Sequence, residues 1–322
     1  MPMMHAVKNF ARHLSDFLCA ILYDTLAFCD GIFGIAGLNE YKRLAPTRPL
    51  GEGNKHIDLI VVAFNNPKFI EEQERLVRKY MTDPDYTYIV VDNSTNATAR
   101  STIRSFCHEH SIPYINIPRC IRISNVSRFT GPSTSHALAL NIVYRHLIKK
   151  RKPYAFGLID HDIFPLKPFS VLDKIAHQPF YGVKRERRRT HAATGSPIGG
   201  WFMWPGYSFY KYAEIAPKKI NFLPTILDGI FLDTGGLNYL RLYRSYDTST
   251  MQFANEKVIR VRQSEGAKGK FDIYQTDCIT MIDDKEWIHL VNGSNYHKSA
   301  SKANKAEMLE DLMERIRKKT ED

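Results

Sequence analysis

The chain is poor in cysteine and has no long hydrophobic run. Its cysteines are odd in number and nowhere spaced as CxxC, which excludes a disulfide framework and a zinc site of the usual spacing. The longest apolar stretch near the N-terminus, Phe17 to Phe28, is interrupted by Asp24 and is shorter than the roughly 20 residues of a membrane-spanning helix. Asp16 and Asp24 within it also argue against a secretory signal. These shortages predict a cytoplasmic protein.

Repeats are lacking, and acidic residues are the minority charge. Gly (18) and Pro (16) follow no fixed period, which excludes collagen-like, low-complexity and solenoid architectures. The chain has 322 residues with 45 Lys or Arg against 34 Asp or Glu, so its formal net charge is +11. This charge predicts anionic partners, which include nucleic acid, a membrane surface and phosphorylated small molecules.

The distribution of apolar residues divides the chain into three parts. Residues 1–54 contain an amphipathic pattern from Val7 to Leu26 and a breaker-rich linker. Two interpretations of this helix stay open: it docks on the main domain, or it attaches the protein peripherally to the inner face of a membrane. Residues 55–297 are expected to form the main domain. Residues 298–322 are expected to form a C-terminal helix whose apolar stripe packs on the body.

Strand and helix patterns alternate through the first half of the main domain. Nearly continuous β-branched runs predict strands at 57–64, 86–91, 112–115 and 154–159, each covered on both faces. Helical spacing separates them at 69–80, 97–110 and 131–150. This order predicts an α/β, Rossmann-type, mostly parallel sheet flanked by helices, followed beyond Lys167 by an α+β half. Ligands of such sheets lie beyond the carboxyl ends of the strands.

Two carboxylates separated by one residue follow the strand that ends at Ile159. As the chain leaves the sheet, Asp160 and Asp162 can both turn toward one cation. Hard oxygen ligands suit Mg²⁺ or Mn²⁺, which fill their remaining positions with water and substrate phosphates. A bare DxD is common in solvated turns, so its position at a strand end carries the interpretation as a metal site.

The order of these pieces resembles a nucleotide-diphospho-sugar glycosyltransferase of the GT-A type. The matching pieces are Ala63-Phe64-Asn65, Val91-Asp92-Asn93-Ser94, the helix start from Ser133 to Asn141 and Leu158-Ile159-Asp160-His161-Asp162. The resemblance implies a metal-dependent transfer of a sugar from a nucleotide-diphosphate donor to a hydroxyl of a glycan or a lipid-linked saccharide. It also implies that residues 55–297 are the catalytic domain.

The resemblance carries further residues into candidate roles. Phe64, Asn65, Asp92 and Asn93 correspond to the strand ends that hold the nucleoside. His136 belongs to the matching helix start, and the helix amides near Ser133 and Ser135 are suited to a phosphate. Asp160 and Asp162 would hold a Mn²⁺ or Mg²⁺ ion that bridges the diphosphate, and His289 resembles a late histidine that adds a metal ligand.

The second half of the domain contains candidates for the acceptor side. Asp233, in a Gly-rich loop that leads into a helix, is the preferred general base for an acceptor hydroxyl, and Asp228 is the competing candidate. The glycine- and aromatic-rich segment from Gly199 to Gly206 would either stack on a sugar or pack in the core. The basic run from Lys184 to Arg189 is expected to be a solvated loop, or to bind a phosphorylated acceptor or an anionic lipid surface.

Two other functions remain as alternatives. A haloacid-dehalogenase-type phosphatase would use Asp160 and Asp162 together with the later Asp283 and Asp284, although Phe164 departs from its first motif. A basic nucleic-acid-binding protein would fit the net charge, but no specific nucleic-acid-binding motif is present, so no specific nucleic-acid partner is expected.

Overall fold

The computed structural model describes residues 54–117, 131–190, 195, 197–262, 277–291 and 302–321. The helix predicted from Val7 to Leu26 lies outside these residues. Within the described ranges, no helix combines the length and the apolarity needed to cross a membrane.

The strands of the described residues form three sheets. Their bounds are β1 (Ile57–Ala63), β2 (Tyr86–Asp92), β3 (Tyr114–Asn116), β4 (Ala155–Asp160), β5 (Ile163–Pro165), β6 (Phe180–Thr190), β7 (Pro197–Lys211), β8 (Thr225–Leu227), β9 (Ile230–Leu232), β10 (Glu256–Arg262), β11 (Asp277–Ile282) and β12 (Trp287–His289). The main sheet has the order β3-β2-β1-β4-β7-β6, the second sheet β10-β11-β12-β5, and β8 and β9 form a hairpin.

The helices cover the faces of the main sheet and carry the chain between its strands. Their bounds are α1 (Pro67–Tyr80), α2 (Ala97–Glu109), α3 (Gly131–Val143), α4 (Lys149–Arg151), α5 (Val171–Lys174), α6 (Tyr212–Ile215), α7 (Asn238–Arg241) and α8 (Lys302–Glu321). A π-helical turn joins α3 to α4.

The main sheet confirms the predicted α/β class. The strands β1 to β4 run parallel to one another, whereas β7 pairs antiparallel with β4 and β6 pairs antiparallel with β7. Every residue of β1 is buried, because helices cover both faces of the sheet. The chain runs outward from β1 to β3 and then returns to the other side of β1 as β4. The carboxyl ends of β1 and β4 therefore lie at a switch point, where ligands of such sheets bind.

Two predictions from the sequence were wrong: the bounds of the third strand and the loop at the basic run. The third strand is Tyr114–Asn116 instead of 112–115, because the amide of Ile112 still donates to Cys107 O at the end of α2, at 2.7 Å, and Pro113 has no amide hydrogen. The basic run from Lys184 to Arg189 is not a loop but part of β6, where each of its residues pairs with a residue of β7.

The second sheet brings the end of the main domain back to the start of β5. Its strand β12 pairs antiparallel with β5, and His289 lies opposite Ile163. The amide of Leu290 donates to Asp162 O at 2.9 Å. His289 is thereby placed next to Asp162, although the two are 127 positions apart in the sequence.

The C-terminal helix α8 packs on the body, as its apolar stripe predicts. Leu309, Leu312, Met313 and Ile316 are buried in a cluster with Phe69 and other residues of α1, β5 and β12. The proposed division at residues 54 and 297 remains a prediction.

A charged network lies at the amino edge of the sheet, opposite the candidate site. Arg151 donates two hydrogen bonds of 2.8 Å to the carboxylate of Asp58, which is fully buried. His56 contacts the same carboxylate at 3.2 Å and Asp85 at 2.7 Å. Burial lowers the pKa of His56, but the hydrogen bonds and charges of Asp58 and Asp85 outweigh it, so the pKa is raised above 6.5.

We expect the contribution of His56 to stability to depend on pH. A raised folded-state pKa means that folding favours the protonated imidazole, so its stabilisation is complete below pH 6.5 and is lost as the pH rises through the higher folded value. The difference in free energy of unfolding between wild type and His56→Gln should therefore be larger at pH 5.5 than at pH 8.5, a pair of values chosen about one unit or more either side of the unperturbed pKa. Urea titrations at both pH values measure it, and an equal difference would contradict the assignment.

Candidate active site

The DxD segment forms the connection between two strands, with His161 and Asp162 as its two turn residues. Asp160 is the last residue of β4, and Asp162 directly precedes β5. The side-chain amide of Gln73, on α1, fixes this turn by donating to Asp160 O at 2.8 Å and to Ile163 O at 2.5 Å. Tyr88 in turn donates to Gln73 Oε1 at 2.9 Å. The fully buried side chain of Gln73 thus fixes the backbone on both sides of the turn.

The residue between the two carboxylates faces the interior. His161 is buried, and its Nδ1 lies 3.1 Å from Val62 O, so a protonated Nδ1 donates to the end of β1. Burial lowers the pKa of His161 to about 4, which keeps the imidazole neutral near pH 7. Its ring contacts that of Phe69 with a centroid separation of 5.9 Å. The inward histidine joins the turn to β1, while the side chain of Asp160 is 24% exposed and that of Asp162 is buried.

Two ionisable side chains, His136 and Asp233, act on the carboxylate of Asp160. Its Oδ1 is 3.5 Å from His136 Nε2, an atom that is buried and has no hydrogen-bond partner in the described part of the chain. Burial raises the pKa of Asp160, His136 opposes the rise, and the negative charge of Asp233 adds to it. His136 and Asp233 are therefore both within electrostatic reach of Asp160.

Asp162 lies beside His289. The distance from His289 Nε2 to Asp162 Oδ1 is 3.6 Å, and the side chains are 13% and 7% exposed. The ring of Trp204 lies 5.0 Å from that of His289, and the guanidinium of Arg185 lies 4.9 Å above the indole. Arg185 is held by an ion pair with Glu256. Arg185, Trp204 and His289 thus form a row of contacting side chains that reaches Asp162, with the two rings tilted by 44°.

A glycine lets strand β7 approach the site. A Cβ on Gly206 would lie 2.6 Å from Asp160 Oδ2 and 2.4 Å from ring atoms of Trp204. No other residue fits between Asp160 and the indole, so the glycine of the predicted aromatic segment brings Trp204 to Asp160. Trp201, by contrast, is buried in the core, as the packing interpretation of this segment predicts.

The ends of β1 and β2 are connected to each other. Asn65 has a φ of 55°, and its Oδ1 accepts a hydrogen bond of 2.8 Å from the amide of Asn96. The amide of Asn65 itself donates to Ser94 Oγ at 2.8 Å. Asp92 is fully buried, and its carboxylate accepts from Ser94 N and from Tyr114 OH, both at 2.8 Å. Asp92 therefore orders the loop after β2 from beneath. Phe64 and Asn65 are partly exposed at the same edge.

The start of α3 contacts both neighbouring loops. Asn93 Nδ2 donates to Ser135 Oγ at 3.1 Å, while Asn93 Oδ1 is buried without a hydrogen-bond partner among the described residues. On the other side, the hydroxyl of Thr234 donates to Ser133 O at 3.0 Å. These bonds place the predicted phosphate segment between the loop after β2 and the loop that carries Asp233.

The two candidate bases occupy different places. Asp233 is exposed, follows β9 and accepts from the amide of Thr234 at 2.8 Å, so it caps a turn instead of the helix α7. Asp228 lies in the turn between β8 and β9 with a φ of 50° and accepts from Gly199 N at 3.2 Å. Gly199 is seven residues before Gly206 on the extended strand β7. Of the two candidates, Asp233 is the one whose charge acts on Asp160, whereas Asp228 lies beside Gly199.

The donor atoms suit a divalent cation in kind. Two carboxylates, Asp160 and Asp162, and the imidazole of His289 are ligands that Mn²⁺ accepts. Within the described ranges, however, no three Asp, Glu, His or Cys side chains converge as a ready cation site. The structure contains two close pairs, Asp160 with His136 and Asp162 with His289.

The second acidic motif of the phosphatase alternative is used elsewhere. Asp283 follows β11, in the second sheet, and accepts hydrogen bonds from Tyr181 at 2.5 Å and from Tyr207 at 2.9 Å. Lys174 also pairs with it. A metal-dependent phosphatase of this type needs both acidic motifs at one site, and the structure engages Asp283 in a separate buried network.

Sequence reasoning missed Gln73 and the role of Gly206. Gln73 had a usable signal, because it is a polar residue on the apolar face of α1 defined by Phe69, Ile70, Leu76 and Val77. Such a residue needs a buried hydrogen-bond partner. Gly206 had no comparable signal, since the approach of β7 to Asp160 depends on the sheet order.

No protein-family model matches the chain, and no curated protein sequence matches it. Among solved structures, it is similar to the mannosyltransferase PcManGT from Pyrobaculum calidifontis in complex with GDP-Man and Mn²⁺, with 14% identity, a TM-score of 0.34 and coverage of 66% of this chain and 58% of that one. It is also similar to S. aureus TarS, with 16% identity, a TM-score of 0.32 and coverage of 52% and 30%. For TarS 1–349 the identity is 14%, the TM-score 0.34 and the coverage 82% and 72%.

The chain spans 58% of the mannosyltransferase and 30% of the longer TarS chain. Similarities of this size concern the course of the backbone and not its chemistry.

Proposed function

We propose that the chain is a nucleotide-sugar-dependent glycosyltransferase that transfers a sugar to a hydroxyl of a glycan or a lipid-linked saccharide. The observation that carries this proposal is the grouping at the switch point of the sheet. Asp160 and Asp162 leave β4 there, with His136 and His289 beside them and Asp233 within electrostatic reach. This edge is where a doubly wound sheet binds its ligand.

The donor side would be formed by the ends of β1 and β2 and by the start of α3. Phe64 and Asn65 offer the exposed edge for the nucleoside, and Asp92 and Asn93 order the loop beneath it. The amides near Ser133 and Ser135 would donate to a phosphate, since a helix N-terminus favours an anion. His136 Nε2, which has no hydrogen-bond partner in the described residues, would gain one from such a phosphate.

We propose Asp160 and Asp162, with His289 completing the set, as the residues that hold Mn²⁺ or Mg²⁺. When bound, the cation neutralises the negative charge of the diphosphate leaving group. The raised pKa of Asp160 supports this role. Burial disfavours the charged carboxylate, and a bound cation would stabilise that charge.

Asp233 is proposed as the general base. Its side chain is exposed and held at one oxygen by the Thr234 amide, so the second oxygen is available to a hydroxyl group of an acceptor. The indole of Trp204, partly exposed beside His289, would stack on a sugar ring. The carboxylate would take the hydroxyl proton as the new glycosidic bond forms.

We expect Asp233→Asn to lower transfer to an acceptor by about 10²-fold or more, because an amide cannot accept the hydroxyl proton. Asp228→Asn is the matched control, since its amide oxygen can still accept from Gly199 and the residue lies away from Asp160. Initial rates of sugar transfer for both variants test the assignment. Equal losses in the two variants, or a loss confined to Asp228→Asn, would contradict it.

The proposed function is tested by incubating the full chain with a panel of nucleotide-sugars, with and without Mn²⁺. We expect one donor to raise the melting temperature only with the metal and to be hydrolysed slowly without an acceptor. Release of phosphate from simple phosphoesters, with no response to any nucleotide-sugar, would support the phosphatase alternative instead.

A further inference from the structure

Two antiparallel hairpins extend beyond the candidate site on the same side of the molecule. Strand β7 pairs with β4 so that Tyr207 lies opposite Ile159, and the earlier residues of β7 therefore continue past Asp160. Their partners on β6 include Arg187, opposite Gly200, and Arg189, opposite Ile198. This hairpin carries the basic run of the sequence past the carboxyl end of the sheet.

The second hairpin, β10 with β11, extends in the same direction. Thr280 of β11 lies opposite His289, and Val258 of β10 lies opposite Thr280. Because β12 reaches Asp162 at His289, Ile259 and the residues after it lie beyond the site. The two hairpins are tied together at their base by a parallel bridge between Val183 and Ala254 and by the ion pair of Arg185 with Glu256.

The facing parts of these hairpins are basic and carry exposed aliphatic side chains. Arg187, Arg188, Arg189 and Lys257 are exposed. Val258 is 57% exposed and Ile259 36%, and with Leu240 they are the exposed large hydrophobic residues of the described chain. Consecutive strand residues point to opposite faces, so each face of β10 presents an exposed aliphatic side chain here.

The ion pairs of the basic residues in β6 differ between the two faces of the strand. Glu186 lies within ion-pair distance of Lys184, at 3.6 Å, and of Arg188, at 3.3 Å. Arg187 and Arg189 share the opposite face of β6, because they are two residues apart. Glu186 therefore neutralises one face, and on the other face Arg185 pairs with Glu256 while Arg187 and Arg189 lie farther along the strand.

We infer that this surface, formed by Arg187, Arg189, Lys257, Val258 and Ile259, docks on an anionic phospholipid bilayer. Basic side chains are attracted to the negative surface of such a bilayer, and neighbouring aliphatic side chains gain by entering the region between headgroups and acyl chains. A soluble polyanion would explain the basic residues but gives no reason for two exposed aliphatic residues directly after Lys257 on the neighbouring hairpin. The inference does not depend on the reaction that the site performs.

This docking orients the molecule. Because both hairpins extend past Asp160 and Asp162, the candidate site opens toward the lipid surface instead of away from it. An acceptor anchored in the same bilayer would then be presented to the site without leaving the membrane.

Sedimentation of the full chain with phosphatidylcholine vesicles, with and without phosphatidylglycerol, tests the inference. We expect binding only to the anionic vesicles and a loss of binding as salt is raised. Arg187→Glu combined with Arg189→Glu should weaken the partition at least about tenfold, and Val258→Ser combined with Ile259→Ser severalfold. The matched control is Lys149→Glu with Lys150→Glu, exposed residues at the opposite edge of the sheet that carry the same change in charge.

Circular dichroism and melting curves establish that each variant is folded before its binding is compared. Wild-type binding by the arginine variant would overturn the inference, as would an equal loss in the lysine control. Binding of soluble polyphosphate that requires the arginines, with vesicle binding unchanged in the Val258→Ser, Ile259→Ser variant, would also overturn it in favour of a soluble polyanion.

Discussion

Asp160→Asn and Asp162→Asn are each expected to reduce metal-stimulated turnover of the donor by about 10²- to 10³-fold or more. Each substitution keeps the size of the side chain and removes the negative charge that would hold the cation. Loss of one electrostatic stabiliser of a leaving group typically has an effect of this size. Steady-state rates across a series of Mn²⁺ concentrations measure it.

The same variants should remain folded. Burial disfavours the charged form of Asp160, so removing its charge should leave the melting temperature unchanged or raise it. The Gln73 amide bonds to the backbone carbonyl of Asp160, which the substitution does not alter. Asp228→Asn again provides the matched control. Full activity in both Asp160→Asn and Asp162→Asn would remove these residues from the site.

Arg151→Met is expected to cause the largest loss of stability, about 3–5 kcal/mol. Asp58 is fully buried and receives both of its strong hydrogen bonds from Arg151. Without the guanidinium, the carboxylate would remain inside the protein with only His56 as a charged neighbour. For a domain of this size, the loss corresponds to roughly 2–4 °C of melting temperature per kcal/mol.

Lys150→Met is the matched control for Arg151→Met. It removes a positive charge and adds the same side chain one residue earlier, at an exposed position. The double variant Asp58→Leu, Arg151→Met should recover part of the lost stability, because it no longer contains a buried charge. A melting temperature within a degree or so of wild type for Arg151→Met would show that the pair contributes little, as many exposed ion pairs do.

The first half of the main domain was predictable because its signals are local. Continuous runs of β-branched residues indicate strands that are covered on both faces, and β1, β2 and β4 appear where those runs occur. The strand-end position of Asp160 followed from the same pattern. The carboxyl ends of parallel strands meet at one edge, so a single sequence was sufficient to bring Asn65, Asp92 and Asp160 to one region.

The rest of the site depends on pairings between distant segments. Three-residue strands such as β5 and β12 carry too few residues to show a period, and their pairing places His289 beside Asp162. The separation of Asp233 from Asp228 also depends on a tertiary feature, the β8–β9 hairpin against β7. For the basic run, charge indicated a loop, whereas pairing with β7 made it a strand.

Calorimetric titration of the full chain with a nucleoside diphosphate, in the presence and absence of Mn²⁺, tests the central claim most directly. The account predicts that binding requires the metal in wild type, that Asp162→Asn loses at least about tenfold in affinity, a difference of about 1.4 kcal/mol, and that Asp228→Asn binds as wild type does. Metal-independent binding of equal strength in wild type and Asp162→Asn would contradict a cation held between Asp160 and Asp162 at the end of β4.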